Sequence, residues 1–255
     1  MKNEKLAVVV FLLISIGISG CIDFDSEPSG PEIKVYIENE YEADDNAALS
    51  VSTVNGAISI TVWEGETIAL NATKRTRYGE DDLEKADIAV SENGDKIKIE
   101  IQHEQPIRSR AVDLDIKIPY NVTIDSVSTT NGPIAVEEAD GFVSATTLNG
   151  GIEIKGTTGI GNLVSTNGWI NAEVYDIKED IDIETTNGGV TLYLISTINA
   201  SIKISTTNGG IIVDADFINK TEDTYNSYRG IIGSGENSIN IITTNGKIQI
   251  EELEI

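Results

Sequence analysis

Ser205-Thr206-Thr207-Asn208-Gly209-Gly210-Ile211-Ile212-Val213 has a close copy in Ser128-Thr129-Thr130-Asn131-Gly132-Pro133-Ile134-Ala135-Val136. Seven segments share this pattern, centred on Asn55, Asn131, Asn149, Asn167, Asn187, Asn208 and Asn245, each followed by Gly. With Asn as position zero, position −2 is Thr53, Thr129, Thr147, Ser165, Thr185, Thr206 and Thr243. Position −4 is Val51, Val127, Ala145, Leu163, Ile183, Ile204 and Ile241. Position +3 is Ile58, Ile134, Ile152, Ile170, Val190, Ile211 and Ile248. Position +5 is Ile60, Val136, Ile154, Ala172, Leu192, Val213 and Ile250. Every column is filled in every copy, which is the signature of a repeat architecture.

Side chains of a strand alternate with period two, so −4, −2 and 0 are expected on one inward face, and +3 and +5 on the inward face of the next strand. The parity changes across Asn-Gly, so the chain bends there, and Asn and Gly accept positive φ most easily. Between strands, Asn-Gly often signals an antiparallel hairpin. The spacing argues otherwise. From Asn131 it runs 18, 18, 20 and 21 residues, then 37, about two units with an insertion. A solenoid must repeat identical columns, because each coil stacks on its neighbour at about 4.8 Å. The expected fold is all-β, a single parallel β-helix (solenoid) with coils of 18–21 residues. Its stacked Asn side chains are expected to form a structural hydrogen-bonded ladder, since buried amides must be satisfied.

Two segments differ. Trp63 to Tyr120 holds long alternating strands, Ile97 to Ile101 and Val112 to Pro119, with Asn93-Gly94 out of register and a polar stretch from Thr73 to Lys85 that reads as a loop or a poor short helix. This N-terminal block of longer alternating strands is expected to blunt the exposed coil edge. The polar insertion from Asn219 to Gly235 is expected to leave the coil as an excursion.

The start of the chain reads as an address. Lys2 and Lys5 precede an apolar or small run from Leu6 to Ile18, too short for a comfortable membrane span and of secretory-signal length. Ile18-Ser19-Gly20-Cys21 resembles the lipobox of bacterial and archaeal lipoproteins, with Ile18 in place of the usual Leu. The resemblance implies cleavage before Cys21 and a lipid on its sulfur. Residues 1–20 are then a lipoprotein signal peptide, 21–32 the lipidated Cys and a polar tether, and 33–255 the β-helix domain, held at the cell membrane on its extracytoplasmic side. An ordinary secretory signal or an uncleaved short anchor are the alternatives. Asn71, Asn121, Asn199 and Asn219 lie in Asn-x-Ser/Thr sequons, which permit glycosylation in a secreted protein.

Composition limits the partners. The 18 Lys and Arg against 42 Asp and Glu give a net charge of −24, which repels nucleic acid and anionic membrane surfaces. One Cys leaves no internal disulfide framework, and one His leaves no His-rich metal site. No cofactor, resident metal or catalytic residue is expected. The single His103 reads as solvated near a strand end. Asp113/Asp115 and Asp180/Asp182 could pair for glycoside hydrolysis, but alternation turns them to solvent. Asp44-Asp45 and Glu80-Asp81-Asp82 are acidic loop clusters that match no calcium loop and suggest weak cation binding at most. Trp63, Trp169, Tyr225 and Tyr228 are candidates for stacking on sugar rings.

Ser-Thr-Thr-Asn-Gly-x-Ile-x-Val, recurring after an alternating block that ends in Ile118-Pro119, resembles the putative-adhesin β-helix family over about Ile33 to Ile255. The resemblance implies a right-handed parallel β-helix and a role at the surface of bacteria and archaea, and it carries over no catalytic residues. The expected function is adhesion, display or envelope binding without enzymatic activity, toward an unidentified surface polymer or protein. The alternatives are a glycan-binding or glycan-cleaving envelope protein, and a purely structural envelope component.

Overall fold

The computed structural model describes residues 11–13, 31–44, 46–105, 107 and 110–254. Cys21 and the lipobox lie outside them, as does Asp45. Among the described residues the strands form two 11-stranded sheets. The arm before each Asn-Gly joins one sheet, called here the upstream sheet; the arm after it joins the other, the downstream sheet. Strands Thr123–Asn131, Phe142–Asn149, Gly159–Asn167 and Ile181–Asn187 lie side by side in parallel in the upstream sheet. Their partners Ile134–Glu137, Ile152–Lys155, Ile170–Val174 and Val190–Leu194 do the same in the downstream sheet. The registers match column to column, Ile152 on Ile170 and Thr185 on Thr243, for example. Inward aliphatics from both sheets form one continuous core, with Ile60, Ile154, Leu192 and Ile204 fully buried.

The all-β class and the stacked coils are as the repeats imply, but the sheets are mixed and the stack does not follow chain order. The last coil, Asn237–Asn245 with Ile248–Glu252, inserts between the coil at Asn187 and the coil at Asn208. Near the start, Lys96–His103 and Ala111–Pro119 form a further coil lying beyond Ala48–Ser52 and Ile58–Trp63. That coil has no Asn-Gly bend, so the column pattern does not reveal it. At the N-terminal end both sheets close with antiparallel strands: Ile33–Glu42 and Thr67–Thr76 on the downstream sheet, Ala86–Asn93 on the upstream sheet. A short strand inside the apolar segment from Leu6 to Ile18, Phe11–Leu13, pairs antiparallel with Tyr36–Glu38.

Two sequence expectations change. The segment from Asn219 does not leave the coil. Asn219–Asp223 and Ser227–Ile232 fold as a hairpin that extends the upstream sheet, with Tyr228 and Ile232 turned inward. Asn93-Gly94 is out of register because it is an ordinary hairpin turn, between Ala86–Asn93 and Lys96–His103, with Gly94 at φ 65°. The stretch from Thr73 divides into the end of strand Thr67–Thr76 and a four-residue helix, Glu80–Leu83.

The repeated corner also differs in one respect from the alternation rule. The Thr column is buried, and from Thr129 onward each hydroxyl donates to the bend carbonyl of the adjoining coil, as in Thr147 to Gly132 O at 3.1 Å, Ser165 to Gly150 O at 2.9 Å and Thr185 to Gly168 O at 2.8 Å. The Asn column points outward, although it shares the parity of the buried Thr, because the chain turns the corner between them and swings the amide to the outer edge. Its ladder is unbroken. Each Nδ2 donates to the next Oδ1, from Asn131 to Asn55 at 2.6 Å through to Asn208 on Asn245 at 2.8 Å.

Glycine at +1 answers to space in every coil, and Gly56 and Gly132 also take a positive φ, 142° and 159°. A Cβ at Gly168 would stand 1.8 Å from the carbonyl oxygen of Gly150, and one at Gly188 would stand 1.9 Å from that of Gly168. Because those obstacles are backbone, the coils would have to separate. Gly168→Ala is therefore expected to destabilise far more than Asn187→Ala. The latter loses two exposed ladder bonds and should cost about 1 kcal/mol. Urea denaturation of both variants checks the order, and equal losses would contradict the close approach.

Candidate functional site

The Thr and Gly columns are taken up inside the corner, and the Asn column forms its exposed outer ladder. The acidic pairs are engaged. Asp113 accepts the Ala57 backbone N–H at 2.9 Å and Arg75 Nε at 2.8 Å. Burial would raise its pKa, but Arg75 and that N–H outweigh it and hold the carboxyl below its ordinary range. Asp115 is exposed, two residues along the same strand. Asp182 sits in an outer polar ladder, its backbone N–H donating to Asn162 Oδ1 at 2.8 Å and its Oδ1 accepting Asn240 Nδ2 at 3.0 Å. Asp180 accepts the Ser238 N–H. These are bonds between coils, and they hold the carboxylates on the outer face.

The loop clusters separate in the same way. Asp44, Glu80 and Asp81 are exposed or nearly so, while Asp82 turns inward from its short helix. Among the described residues no group of three or more His, Cys, Asp or Glu is placed to hold a metal.

Asp82 instead meets Arg110, a residue that pattern reading passes over. Arg110 is fully buried where the first coil of the stack lacks its Asn-Gly bend. Its Nη1 binds Asp82 Oδ1 at 2.6 Å and Asp82 O at 3.1 Å, its Nη2 binds Glu104 O at 2.5 Å, and its Nε donates to His103 Nδ1 at 3.3 Å. Thr76 donates to the other Asp82 oxygen at 2.7 Å. The Arg110 carbonyl accepts Asn55 Nδ2 at 3.1 Å and so ends the Asn ladder. Thr53, which would need a bend carbonyl below it, has no partner for its hydroxyl. A buried ion pair held by this many bonds is a plug for the open corner. Only tertiary contact brings Asp82 and Arg110 together; the one sequence hint is a basic residue directly before an apolar strand.

His103 is half-buried rather than solvated. Its Nδ1 accepts from Arg110, so its proton sits on Nε2, which is buried without a partner. Burial, then the charges of Arg110 and Lys74, lower its pKa below the ordinary 6.5, against a smaller opposing effect of Asp82. Burial likewise lowers that of Lys74, with Asp87 opposing.

The aromatic candidates split. Trp63 folds over its own turn, with Nε1 on Thr67 O at 2.9 Å, and Tyr228 is buried. Tyr225 is exposed in the hairpin turn. Trp169 is 48% exposed and lies across Gly151 of the neighbouring coil, where a Cβ would stand 2.5 Å from its ring. The sequon residues Asn71, Asn121, Asn199 and Asn219 are all exposed. Asn199 also accepts the Ser234 N–H at 3.1 Å. Among the described residues no helix is long and apolar enough to cross a membrane.

The class these observations define is an all-β, two-sheet stack of short coils. The chain belongs to the Toastrack DUF4097 family, whose model matches residues 29–251. It is similar to the solved structure of a putative cell adhesion protein from Clostridium sporogenes, at 17% identity and a TM-score of 0.46, over 85% of this chain and 99% of that one. A putative adhesin from Bacteroides fragilis is similar at 12% identity and a TM-score of 0.32, over 86% and 97%. A putative lipid binding protein from Parabacteroides distasonis is similar at 9% identity and a TM-score of 0.26, over 84% and 96%. A search of curated proteins gives no match.

Arg110→Met is expected to destabilise by about 3–5 kcal/mol, because Asp82 is left buried and unpaired; the double variant with Asp82→Leu should recover most of that in denaturation experiments. The His103 shift has a definite sign. Folding favours the neutral ring, so the unfolded chain binds more protons and stability falls as pH drops from about 7 through the folded pKa. His103→Gln, which still accepts from Arg110, should flatten that slope; an unchanged slope between pH 7 and 5 would remove His103 from the account.

Proposed function

We propose that this protein is a lipid-anchored, non-enzymatic surface protein whose β-stack displays an acidic, hydrogen-bonding face to an envelope polymer or a partner protein. Cleavage before Cys21 and lipidation of its sulfur would anchor it, residues 21–32 would serve as the tether, and residues 33–255 would stand off the extracytoplasmic side of the membrane. The observation that carries this reading is where the polar side chains go. The inward positions are largely apolar, the main exceptions being the Thr column and the Asp82–Arg110 pair at the first corner. Carboxylates and amides line the outer faces in rows one strand apart, such as Asn162, Asp182 and Asn240. Of the carboxylates considered for hydrolysis, Asp113, Asp180 and Asp182 are held by bonds within the stack, and the exposed sequons fit an extracytoplasmic face.

Glycan binding is the second reading, favoured by one feature: Trp169 offers a half-exposed ring on a bed of glycine, a surface on which a sugar ring can stack. Pull-downs of envelope glycans and of whole cells with the soluble chain Ile22–Ile255 test display. Retention by neither would leave the structural alternative. Asp113→Asn and Asp182→Asn test catalysis, and a turnover on glycans that either variant abolishes would overturn the non-enzymatic reading.

Cys21→Ser is expected to move the protein from the membrane fraction to the soluble extracytoplasmic fraction. Continued retention would identify the apolar segment from Leu6 to Ile18 as an uncleaved anchor.

A further inference from the structure

The two sheets do not end together. Beyond strand Ala200–Asn208 the upstream sheet continues through Ser227–Ile232 and Asn219–Asp223, two strands further. The downstream sheet stops at Ile211–Asp214, which has Ile248–Glu252 on one side and no described strand on the other. The hairpin therefore overhangs a vacant place in the facing layer. In the next coil inward the corresponding core residues, Ile248 and Ile250, are fully buried. Ile211 and Val213 occupy the same columns but are only partly buried. Between them and the overhang lies a cleft of about 250 Å3, roofed by Tyr228 and Ile218.

We propose that this cleft is a strand-addition site, in which the free edge Ile211–Asp214 pairs with an extended segment of a partner protein whose residues alternate apolar with Lys or Arg. An added strand would lie about 4.8 Å from the edge, its backbone pairing with free N–H and C=O groups. Its apolar residues would cover Ile211 and Val213 beneath Tyr228, as each coil covers the one below.

Charge chooses the occupant. Asp216 lines the cleft and Asp214 is exposed on the edge strand beside it, and Lys220, the cation of the cleft, is already paired with Asp223 at 2.9 Å. With the chain at −24, the rim attracts a basic segment and repels an acidic one. A second copy of this chain would bring carboxylates to the joint, since its opposite end carries Glu38, Glu40 and Glu42 along Ile33–Glu42, beside the short edge strand Phe11–Leu13. Such charged edges oppose edge-to-edge association. The inference deepens the display reading by giving the partner's chemistry. Its test needs no membrane, glycan or cell, so it can fail while that reading stands.

The test uses the full chain and three short labelled peptides: alternating Lys and Val, alternating Glu and Val, and alternating Lys and Pro. The last has the charge of the first but breaks the backbone donor row. Fluorescence anisotropy should show binding of the Lys–Val peptide alone, and hydrogen exchange should show new protection at Ile211–Asp214. Asp214→Lys combined with Asp216→Lys alters exposed rim positions only and should weaken binding about tenfold with unchanged melting. Equal binding of the Lys–Pro or Glu–Val peptide would overturn the proposal, as would protection elsewhere or no binding of Lys–Val. Sedimentation showing self-association that protects the same amides would overturn it in favour of a second copy.

Discussion

The approach of one bend to the next, closer than any side chain allows, governs this molecule. Glycine carbonyls sit where the neighbouring glycine's Cβ would be, so the corner can stack only if that position stays bare. Once bare, it lets a buried Thr hydroxyl reach the neighbouring carbonyl and an outer Asn amide reach the next amide. Three residue types thus serve one corner: glycine provides room, threonine satisfies the inner carbonyl, and asparagine ties the outer edge. The aliphatic columns then fall into place as the core between the sheets.

The same constraint explains the ends. A corner that stacks without limit exposes an edge at each terminus, and exposed edges associate. At the N-terminal end the bend is replaced by Arg110, which takes up Asp82, His103 and the last amide of the ladder, while antiparallel strands cover the sheets. At the other end a hairpin covers one sheet, and among the described residues no strand covers its partner. The asymmetry is what turns an otherwise uniform stack into a molecule with a distinct end. A uniform stack offers a ligand the same surface at every level; an uneven end offers one place with its own shape and charge.

Much of the fold was legible because a solenoid writes its contacts into the chain as columns. Val190 lies on Ile170 for the same reason that both occupy +3, and no long-range inference was needed to say so. The coil of Lys96–His103 and Ala111–Pro119 escaped because its bend lacks the marker residues, and Asn93-Gly94 carried the marker into an ordinary hairpin. The Asn ladder was foreseen in its partners but not in its exposure, since alternation holds along a straight strand and fails where the backbone turns. The lipid anchor at Cys21 remains a reading of the leader's residue pattern.

By itself the sequence determined the repeat, the identity of the core columns, the bonded corner and the acidic exterior, all of which follow from side-chain periodicity and charge. Tertiary structure alone decided the order of the coils, the Arg110–Asp82 plug, the half-burial of His103 and the vacant place beside Ile211–Asp214. Periodicity states which residues lie over one another in equivalent coils. It does not state which coil is next, because every coil presents the same columns to either neighbour, and that choice falls to the segments where the repeat breaks.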